Sequence, residues 1–439
     1  MKSLLCMLLV FTGINIHSLA QSFSPDLIGY WHNWNDPNAP SFPLNQIDSR
    51  YTIVDVAFAI PTGGTDYKME FIPDQFSNAT FISHIQALQN QGKKVIISIG
   101  GASTHVSLDN IAERDTFILT MANILDTFGF DGIDIDLEGS SVSVTGGTIS
   151  SPIDAKIIHL IDAIKQIMAN YYSTHNKKLM LTMAPETAFV QGGMSAYGGI
   201  WGAYLPLIQA LRDSMDILHV QLYNSGSMYG IDGNIYTQGN SDFIVSQTEA
   251  VIQGFNTSGG MFVGLPQEKV AIGLPACNSA AGGGYTDTAS VKLAIDYLRG
   301  TGPKPGLYTL QQLNGYTQLR GMMTWSINWD AVSTCASAYE FASNYENIFS
   351  VTTFTNEVQS TEIPIDIFPN PTASHFSIRT HKDHCAYRVV NILGELIQEA
   401  TYFNQFINVD ASGWNNGIYF ITIDSEKSST AKKINVFHD

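Results

Sequence analysis

Between Phe130 and Gly139 the chain reads Phe-Asp-Gly-Ile-Asp-Ile-Asp-Leu-Glu-Gly, which sets carboxyl groups at Asp131, Asp134, Asp136 and Glu138. From Asp134 onward acidic and apolar residues alternate, so an extended strand sends Asp134, Asp136 and Glu138 to one face. Three carboxyl groups in single file repel one another, and burial makes each ionised form costlier still. A strand selected for stability alone would carry Val or Thr there. What the arrangement offers is a carboxylic acid that keeps its proton near neutral pH, which general acid catalysis requires. Asp131 lies out of phase with the other three and reads as structural, tying down the strand entrance.

Two other readings compete for this segment. A calcium loop also spaces its acids, but it sets polar or small residues between them and leads to a turn glycine. Here the intervening residues are Ile133, Ile135 and Leu137. A solvated acidic strand would expose the acids while burying those three, and the segment alone does not exclude it.

The elements that must carry these residues are legible as eight apolar runs: Leu27–Trp31, Ile53–Ile60, Lys94–Gly100, Gly132–Glu138, Leu179–Ala184, Ile217–Tyr223, Val270–Pro275 and Gly321–Ser326. Segments of helical period lie between most of them, among them Phe81–Gln91, Asp115–Phe128, Ile153–Tyr172, Ala203–Ser214, Ser246–Gln253 and Ser290–Leu298. Strands rich in Val and Ile alternating with helices predict a parallel sheet with βαβ crossovers. Eight such units within about 325 residues predict an α/β fold of the (β/α)8 barrel type rather than an open sheet. No dinucleotide fingerprint follows the first strand, which further disfavours the open sheet.

In such a barrel the active groups gather at the C-terminal ends of the strands. Those ends supply Tyr30 and Trp31, Phe58, Ser98 with Gly100 and Gly101, Glu138, Met183 with Glu186, Tyr223 with Asn224, Pro275 and Trp325. Aromatic, acidic and amide groups together make the composition of a sugar site. Pyranose faces stack on rings, and hydroxyls need polar partners.

The formal net charge of −17, with no offsetting basic stretch, argues against nucleic-acid binding. Met1-Lys2-Ser3, the apolar run Leu4 to Phe11 and Ser18-Leu19-Ala20 have the form of a secretory signal over residues 1–20. No other segment is long and apolar enough to span a membrane. Of the four cysteines, Cys6 falls in the signal, leaving Cys277, Cys335 and Cys385. Cys277 and Cys335 follow consecutive core strands and could pair, but the reading adopted is two isolated buried thiols. Gly282-Gly283-Gly284 lacks the Gly-Lys-Ser/Thr that would make it a phosphate loop. His381, His384 and Cys385 lack a fourth ligand at useful spacing, and read as a solvated turn rather than a metal cluster.

After Tyr345 the barrel pattern stops. Residues 350–362, rich in Thr, Ser and Asn, read as a linker. From Ile363 to Asp439 short strands follow one another without helical period: Ile365–Phe368, Phe376–Arg379, Tyr387–Asn391, Phe406–Val409, Ile418–Ile423 and Lys433–Phe437. They predict a small all-β sandwich tail behind a catalytic domain at 24–349.

On these residues the chain resembles family 18 of the glycoside hydrolases, the chitinase family. Asp131-x-x-Asp134-x-Asp136-x-Glu138 matches that family's signature on the fourth strand. Ser98-Ile99-Gly100-Gly101 on the third, Met183-Ala184-Pro185-Glu186 after the fifth, Gln221-Leu222-Tyr223-Asn224 on the sixth and Trp325 on the eighth agree with it. The resemblance implies hydrolysis of β-1,4-linked N-acetylglucosamine polymers with retention, no cofactor and no metal. On one strand Asp136 and Glu138 would lie about 6.6 Å apart and approach the bond from the same side. The family's answer is attack by the substrate's own 2-acetamido oxygen, giving an oxazolinium ion.

The resemblance also implies roles. Glu138 protonates the leaving oxygen and then activates water. Asp136 binds the acetamido N–H, and Asp134 shares a proton with Asp136. Tyr223 donates to the acetamido carbonyl, and Trp325 floors the sugar. Gln221, Asn224 and Glu186 line the subsite, with Met183 an apolar wall and Tyr30, Phe58 and Gly101 further binding positions. Trp31, Trp34, Trp201 and Trp329 read equally as sugar platforms or core.

Processive members carry a small α+β domain between the seventh and eighth strands, whereas only about 45 residues separate Pro275 from Gly321 here. An open cleft and internal cleavage are therefore expected; the chain is read as a monomer. The tail segments Phe368-Pro369-Asn370-Pro371, Asn391-Ile392-Leu393-Gly394-Glu395, Asn416-Gly417-Ile418-Tyr419-Phe420 and Lys432-Lys433-Ile434-Asn435-Val436 resemble the sorting domain of type IX secretion cargo. That implies a Gram-negative bacterial protein, secreted or held at the cell surface, whose tail engages the secretion machinery. A carbohydrate-binding tail is the alternative. For the barrel, the alternatives are an endo-β-N-acetylglucosaminidase acting on N-glycan cores and a silent chitin-binding lectin.

Overall fold

The Val- and Ile-rich runs do become strands. The computed structural model describes residues 24–332, 337–349, 365–380, 385–392, 394–402, 406–425 and 428–438. Its principal sheet consists of β1 Asp26–His32, β2 Ile53–Pro61, β3 Lys94–Gly100, β4 Gly132–Asp136, β5 Met180–Met183, β6 Ile217–Leu218, β7 Ala271–Pro275 and β8 Gly321–Trp325. These pair in parallel in the order β7-β8-β1-β2-β3-β4-β5-β6. Single bridges from Leu218 to Val270 and from Gln221 to Gly273 bring β6 back to β7. The result is a nearly closed (β/α)8 barrel, as the alternation of patterns predicts.

Helices α1 Asn78–Gln89, α2 Ile111–Phe128, α3 Ala155–His175, α4 Leu205–Leu211, α5 Ser241–Gln253, α6 Thr288–Leu298 and α7 Glu340–Phe349 lie between or after the strands. Ser77, Asn110, Asn240 and Asp287 cap α1, α2, α5 and α6 by accepting first-turn N–H groups. Strand alternation then divides the core in two. Ile133, Ile135, Leu181 and Val95 pack with Phe117, Met121 and Ile164 of the helices, while Ile28, Tyr30, Ile53, Ile96 and Met323 fill the barrel interior. Asp134 and Asp136 have the opposite parity to Ile133 and Ile135, so they point into the barrel.

Two strands end well before the sequence pattern predicts. β4 stops at Asp136, so Glu138 stands beyond the ladder rather than on it. β6 pairs only over Ile217–Leu218, and the residues up to Tyr223 continue with isolated bridges. Past Asp136 the backbone is held by other groups: Gly101 donates its N–H to Asp136 O at 2.7 Å, and Leu137 donates to the Tyr204 hydroxyl at 2.7 Å. At the other end Asp131 anchors the strand entrance as expected, its Oδ2 accepting from Val95 N–H at 3.1 Å and Gln89 Nε2 at 3.0 Å.

The β7–β8 connection holds α6 and a loop but no additional α+β domain among the described residues. That loop is tied to α5 by the fully buried Glu249, whose carboxylate accepts from the hydroxyls of Tyr308 and Tyr316, both at 2.6 Å, and from Gln311 N–H. Cys277, at the end of β7, is in a disulfide, which corrects the reading of isolated thiols. Sequence proximity could not reveal the geometry that decides pairing. Cys335, the partner weighed above, lies outside the described residues, as do residues 1–23, the linker, His381 and His384. Among the described residues no helix is long and apolar enough to cross a membrane.

The division into two compact units falls after Ser350. The second contains β9 Ile365–Phe368, β10 His375–Thr380, β11 Cys385–Asn391, β12 Leu396–Tyr402, β13 Phe406–Asp410, β14 Gly417–Ser425 and β15 Ser428–Val436. They form antiparallel sheets β9-β10-β13 and β12-β11-β14-β15, around a core that includes Phe376, Ile378, Val389, Val409, Ile421 and Ile434. β12 escaped the sequence reading because it is an edge strand of mostly exposed residues, without a buried alternate face.

Candidate active site

Register builds the site. Ser98, Asp134 and Thr182 are side-by-side partners on β3, β4 and β5, all facing inward. Asp134 Oδ2 accepts the Ser98 hydroxyl at 2.7 Å, and its Oδ1 accepts the Thr182 hydroxyl at 2.7 Å. From across the barrel Tyr30 adds its hydroxyl to Oδ2 at 2.6 Å. Two residues along β4, Asp136 turns toward Glu138 and is hydrogen-bonded to it. One amide serves both: Gln221 Nε2 lies 2.9 Å from Asp136 Oδ1 and 3.2 Å from Glu138 Oε1. The same nitrogen lies 2.9 Å from Ala184 O, which fixes its orientation.

Electrostatics follow from this crowding. Burial pushes Asp136 well above the usual carboxylate range, and the charges of Glu138, Asp134 and Asp55 push it further. Burial also raises Glu138, although its hydrogen bonds to Gln221 and Asp136 pull the other way. Glu186, half-buried past β5, is pushed up to about 7 by burial and then by the charge of Glu138. A carboxyl group that holds its proton more tightly than usual is suited to donate it to a leaving oxygen.

Above these acids opens a cavity of about 570 Å³. Asp136, Glu138, Gln221, Tyr223, Asn224, Phe58, Gly101 and Trp325 line it. Trp325 stacks on Phe58 at a centroid distance of 5.9 Å and 13° between planes. Gly101, at φ 81°, is needed for space as well as turn: a Cβ there would stand 2.7 Å from the Phe58 ring. Trp34 joins the lining, stacked over the buried His32 ring at 4.5 Å, whereas Trp31 is core.

Other expectations need correction. Met183 forms no wall of the site: it is fully buried in the outer core, because Thr182 before it takes the inward position. Tyr30 does not line the cavity but lies beneath it, spent on Asp134. Asp134, expected to share a proton with Asp136, also accepts three hydroxyls, from Tyr30, Ser98 and Thr182. Asn224 reaches the cavity, but its side-chain oxygen is engaged by Gly283 N–H at 3.1 Å.

Several interior groups were not singled out from sequence. Asp55 and His219 are fully buried, with His219 Nε2 3.6 Å from Asp55 and 3.5 Å from Asp134. These three offer ligand atoms within 4.8 Å of one another, the arrangement among the described residues nearest to a metal-binding set. The hydroxyls already on Asp134 make it internal polar packing instead. The available signal was an acid inside the apolar run Ile53–Ile60 and a histidine two residues before Gln221. Tyr204, whose hydroxyl accepts from Leu137 N and donates to Leu137 O at 3.0 Å, carried no local signal at all.

Comparison with known proteins agrees with this geometry. Residues 26–435 match the family described as Glycosyl hydrolases family 18. Chitinase Chi52 of Paenibacillus xylanexedens is 44% identical over 310 residues, covering 70% of this chain and 58% of that protein. Chitinase D of Niallia circulans is 44% identical over 328 residues, covering 73% and 62%. This chain therefore spans about three fifths of the length of those two relatives. Chitinase ChiA of Flavobacterium johnsoniae is 33% identical over 442 residues, covering 94% of this chain and 27% of its own length. Among solved structures, a family GH18 chitinase from Chromobacterium violaceum superposes with a TM-score of 0.65 at 36% identity, over 74% of this chain and 83% of that one. The acidic strand, the cavity above it and these matches together make the chain a member of glycoside hydrolase family 18.

Proposed function

We propose that this protein is a chitinase that cleaves β-1,4-linked N-acetylglucosamine polymers internally, with retention of configuration. One observation carries the reading: Asp136 and Glu138 share the Gln221 amide, so both meet a bound sugar from the same side. A carboxylate nucleophile would have to attack from the other face, so the attacking atom is supplied by the substrate's acetamido oxygen. Glu138 donates its proton to the leaving oxygen and later activates water. Asp136 accepts the acetamido N–H, orienting the group and stabilising the positive charge that develops. Asp134 acts from behind, sharing a proton with Asp136 so that the pair is not doubly charged. Tyr223 donates to the acetamido carbonyl, and the stacked pair Trp325 and Phe58 floors the sugar.

Chitin is preferred over N-glycan cores because the relatives reported above carry the name chitinase. Internal cleavage rests on the short β7–β8 connection. The chain is exported by residues 1–20 and its β-sandwich tail, to the medium or the cell surface of a Gram-negative bacterium. In favour of a tail that travels with the barrel, the Flavobacterium alignment covers 94% of this chain.

The test is product analysis on a soluble chitin hexamer, beside fully deacetylated chitosan and a high-mannose glycoprotein. Initial β-anomer products from the hexamer and none from chitosan are expected. Initial α-anomers, or efficient cleavage of chitosan, would remove the internal nucleophile. Release of the N-glycan with an intact hexamer would replace chitin as the substrate.

A further inference from the structure

We infer that Asn224 and the loop Gly282–Gly284 form a clasp that positions Tyr223 through its backbone, making Asn224 a positioning residue rather than a sugar ligand. The inference rests on the catalytic reading of Tyr223 above. β6 has ladder pairing only over Ile217–Leu218, so the segment carrying Tyr223 is not held by a full strand. Asn224, at φ 52°, occupies the left-handed region that Asn tolerates. Its N–H donates to Gly283 O at 3.0 Å, and its Oδ1 accepts from Gly283 N–H at 3.1 Å. One residue thereby engages both backbone groups of one glycine.

The approach is too close for side chains. Gly284 sits at φ 92°, and a Cβ there would lie 2.7 Å from Tyr223 Cα and 2.8 Å from Gln238 Oε1. From the other flank Gln238 Oε1 accepts Ser225 N–H at 2.6 Å, and the Ser225 hydroxyl donates to Tyr223 O at 2.8 Å. Tyr223 is therefore flanked by two neighbours, Asn224 and Ser225, each held from a separate loop, while Ser225 also takes its carbonyl. The last glycine of the Gly282–Gly284 run has a physical reason: a Cβ at Gly284 would meet the tyrosine backbone.

The test uses the full chain and a soluble chitin oligomer, with Gly284→Ala, Asn224→Gly, Asn224→Asp, Tyr223→Phe and the Gly284→Ala/Tyr223→Phe double variant. Displacing Tyr223 by even about 1 Å lowers kcat by roughly 10²-fold. Gly284→Ala and Asn224→Gly are expected to lose about 10- to 100-fold in kcat with KM within about threefold. Asn224→Asp, which keeps an acceptor for Gly283 N–H, recovers most of the Asn224→Gly loss. In the Tyr223→Phe background Gly284→Ala adds little, because both changes act on one group. Full additivity, or a raised KM with unchanged kcat in Asn224→Gly, overturns the clasp. Undiminished turnover in Tyr223→Phe sinks the catalytic reading and the clasp with it, whereas a strong loss there beside a harmless Gly284→Ala sinks the clasp alone. Should Gly284→Ala fail to fold, the Asn224 pair still decides.

Discussion

Tyr30 on β1 donates its hydroxyl to Asp134 on β4 at 2.6 Å, across the barrel interior. The first and fourth strands, 104 residues apart, are thus coupled through one buried hydrogen bond. Removing the phenol oxygen in Tyr30→Phe leaves Asp134 with its Ser98 and Thr182 donors but one partner short. Expected are a stability loss of about 1–3 kcal/mol and a lower kcat with KM nearly unchanged. Thermal melts and steady-state kinetics check both. A variant that raises KM alone would show that Tyr30 touches sugar after all.

Glu138 and Glu186 influence each other through charge, so each holds its proton more tightly when the other is ionised. Activity that depends on protonated Glu138 falls as pH rises through its raised pKa. At a pH above about 7, where Glu186 is ionised, Glu186→Gln removes one negative charge and so lowers the pKa of Glu138. The alkaline limb of kcat against pH should move to lower pH in that variant. Glu138→Gln, by contrast, should lose at least about 10²-fold at every pH. An unmoved limb in Glu186→Gln would mean that the two carboxyl groups do not sense each other.

Asp55 is fully buried, and among the described residues neither of its oxygens has a hydrogen-bond partner. Burial, with the charge of Asp134 adding, pushes its pKa well above the ordinary value. A carboxyl group whose folded pKa exceeds its unfolded one weakens the fold progressively as pH rises from the unfolded value toward the folded one. Asp55→Asn removes that burden. The variant should melt above the parent at about pH 8, with the gap closing toward about pH 4. A gap that widens on acidification would contradict the sign.

Glu249 holds the β7–β8 connection through two phenols and backbone N–H groups. In Glu249→Gln one acceptor oxygen becomes a donor that faces donors. A loss of about 1–3 kcal/mol in denaturant unfolding is expected, with kcat and KM close to the parent when assayed below the melt. Parent-like stability would leave the loop held by its apolar contacts alone.

The barrel was legible because parallel strands buried on both faces read as Val- and Ile-rich runs, and helices between them keep their own period. The acidic strand was legible because no stable core would choose it. Which face each residue takes was harder to read. Met183 was placed in the site by its position in a motif, although the inward turn belongs to Thr182 one residue earlier. Glu138 was placed on the strand, whereas the ladder ends at Asp136. Asp55 and His219 sit inside apolar runs, and their significance comes from strands far away in sequence. The disulfide of Cys277 depends on three-dimensional proximity that spacing does not encode.

The hydroxyl of Tyr204 grips the peptide of Leu137, between the two acids, from 67 positions downstream. A designer who transplants the Asp134–Glu138 stretch into a foreign scaffold would carry over the acids and leave this grip behind. Such a graft would present its proton donor on slack backbone. Portability of the motif therefore depends on a phenol that no local pattern search would include.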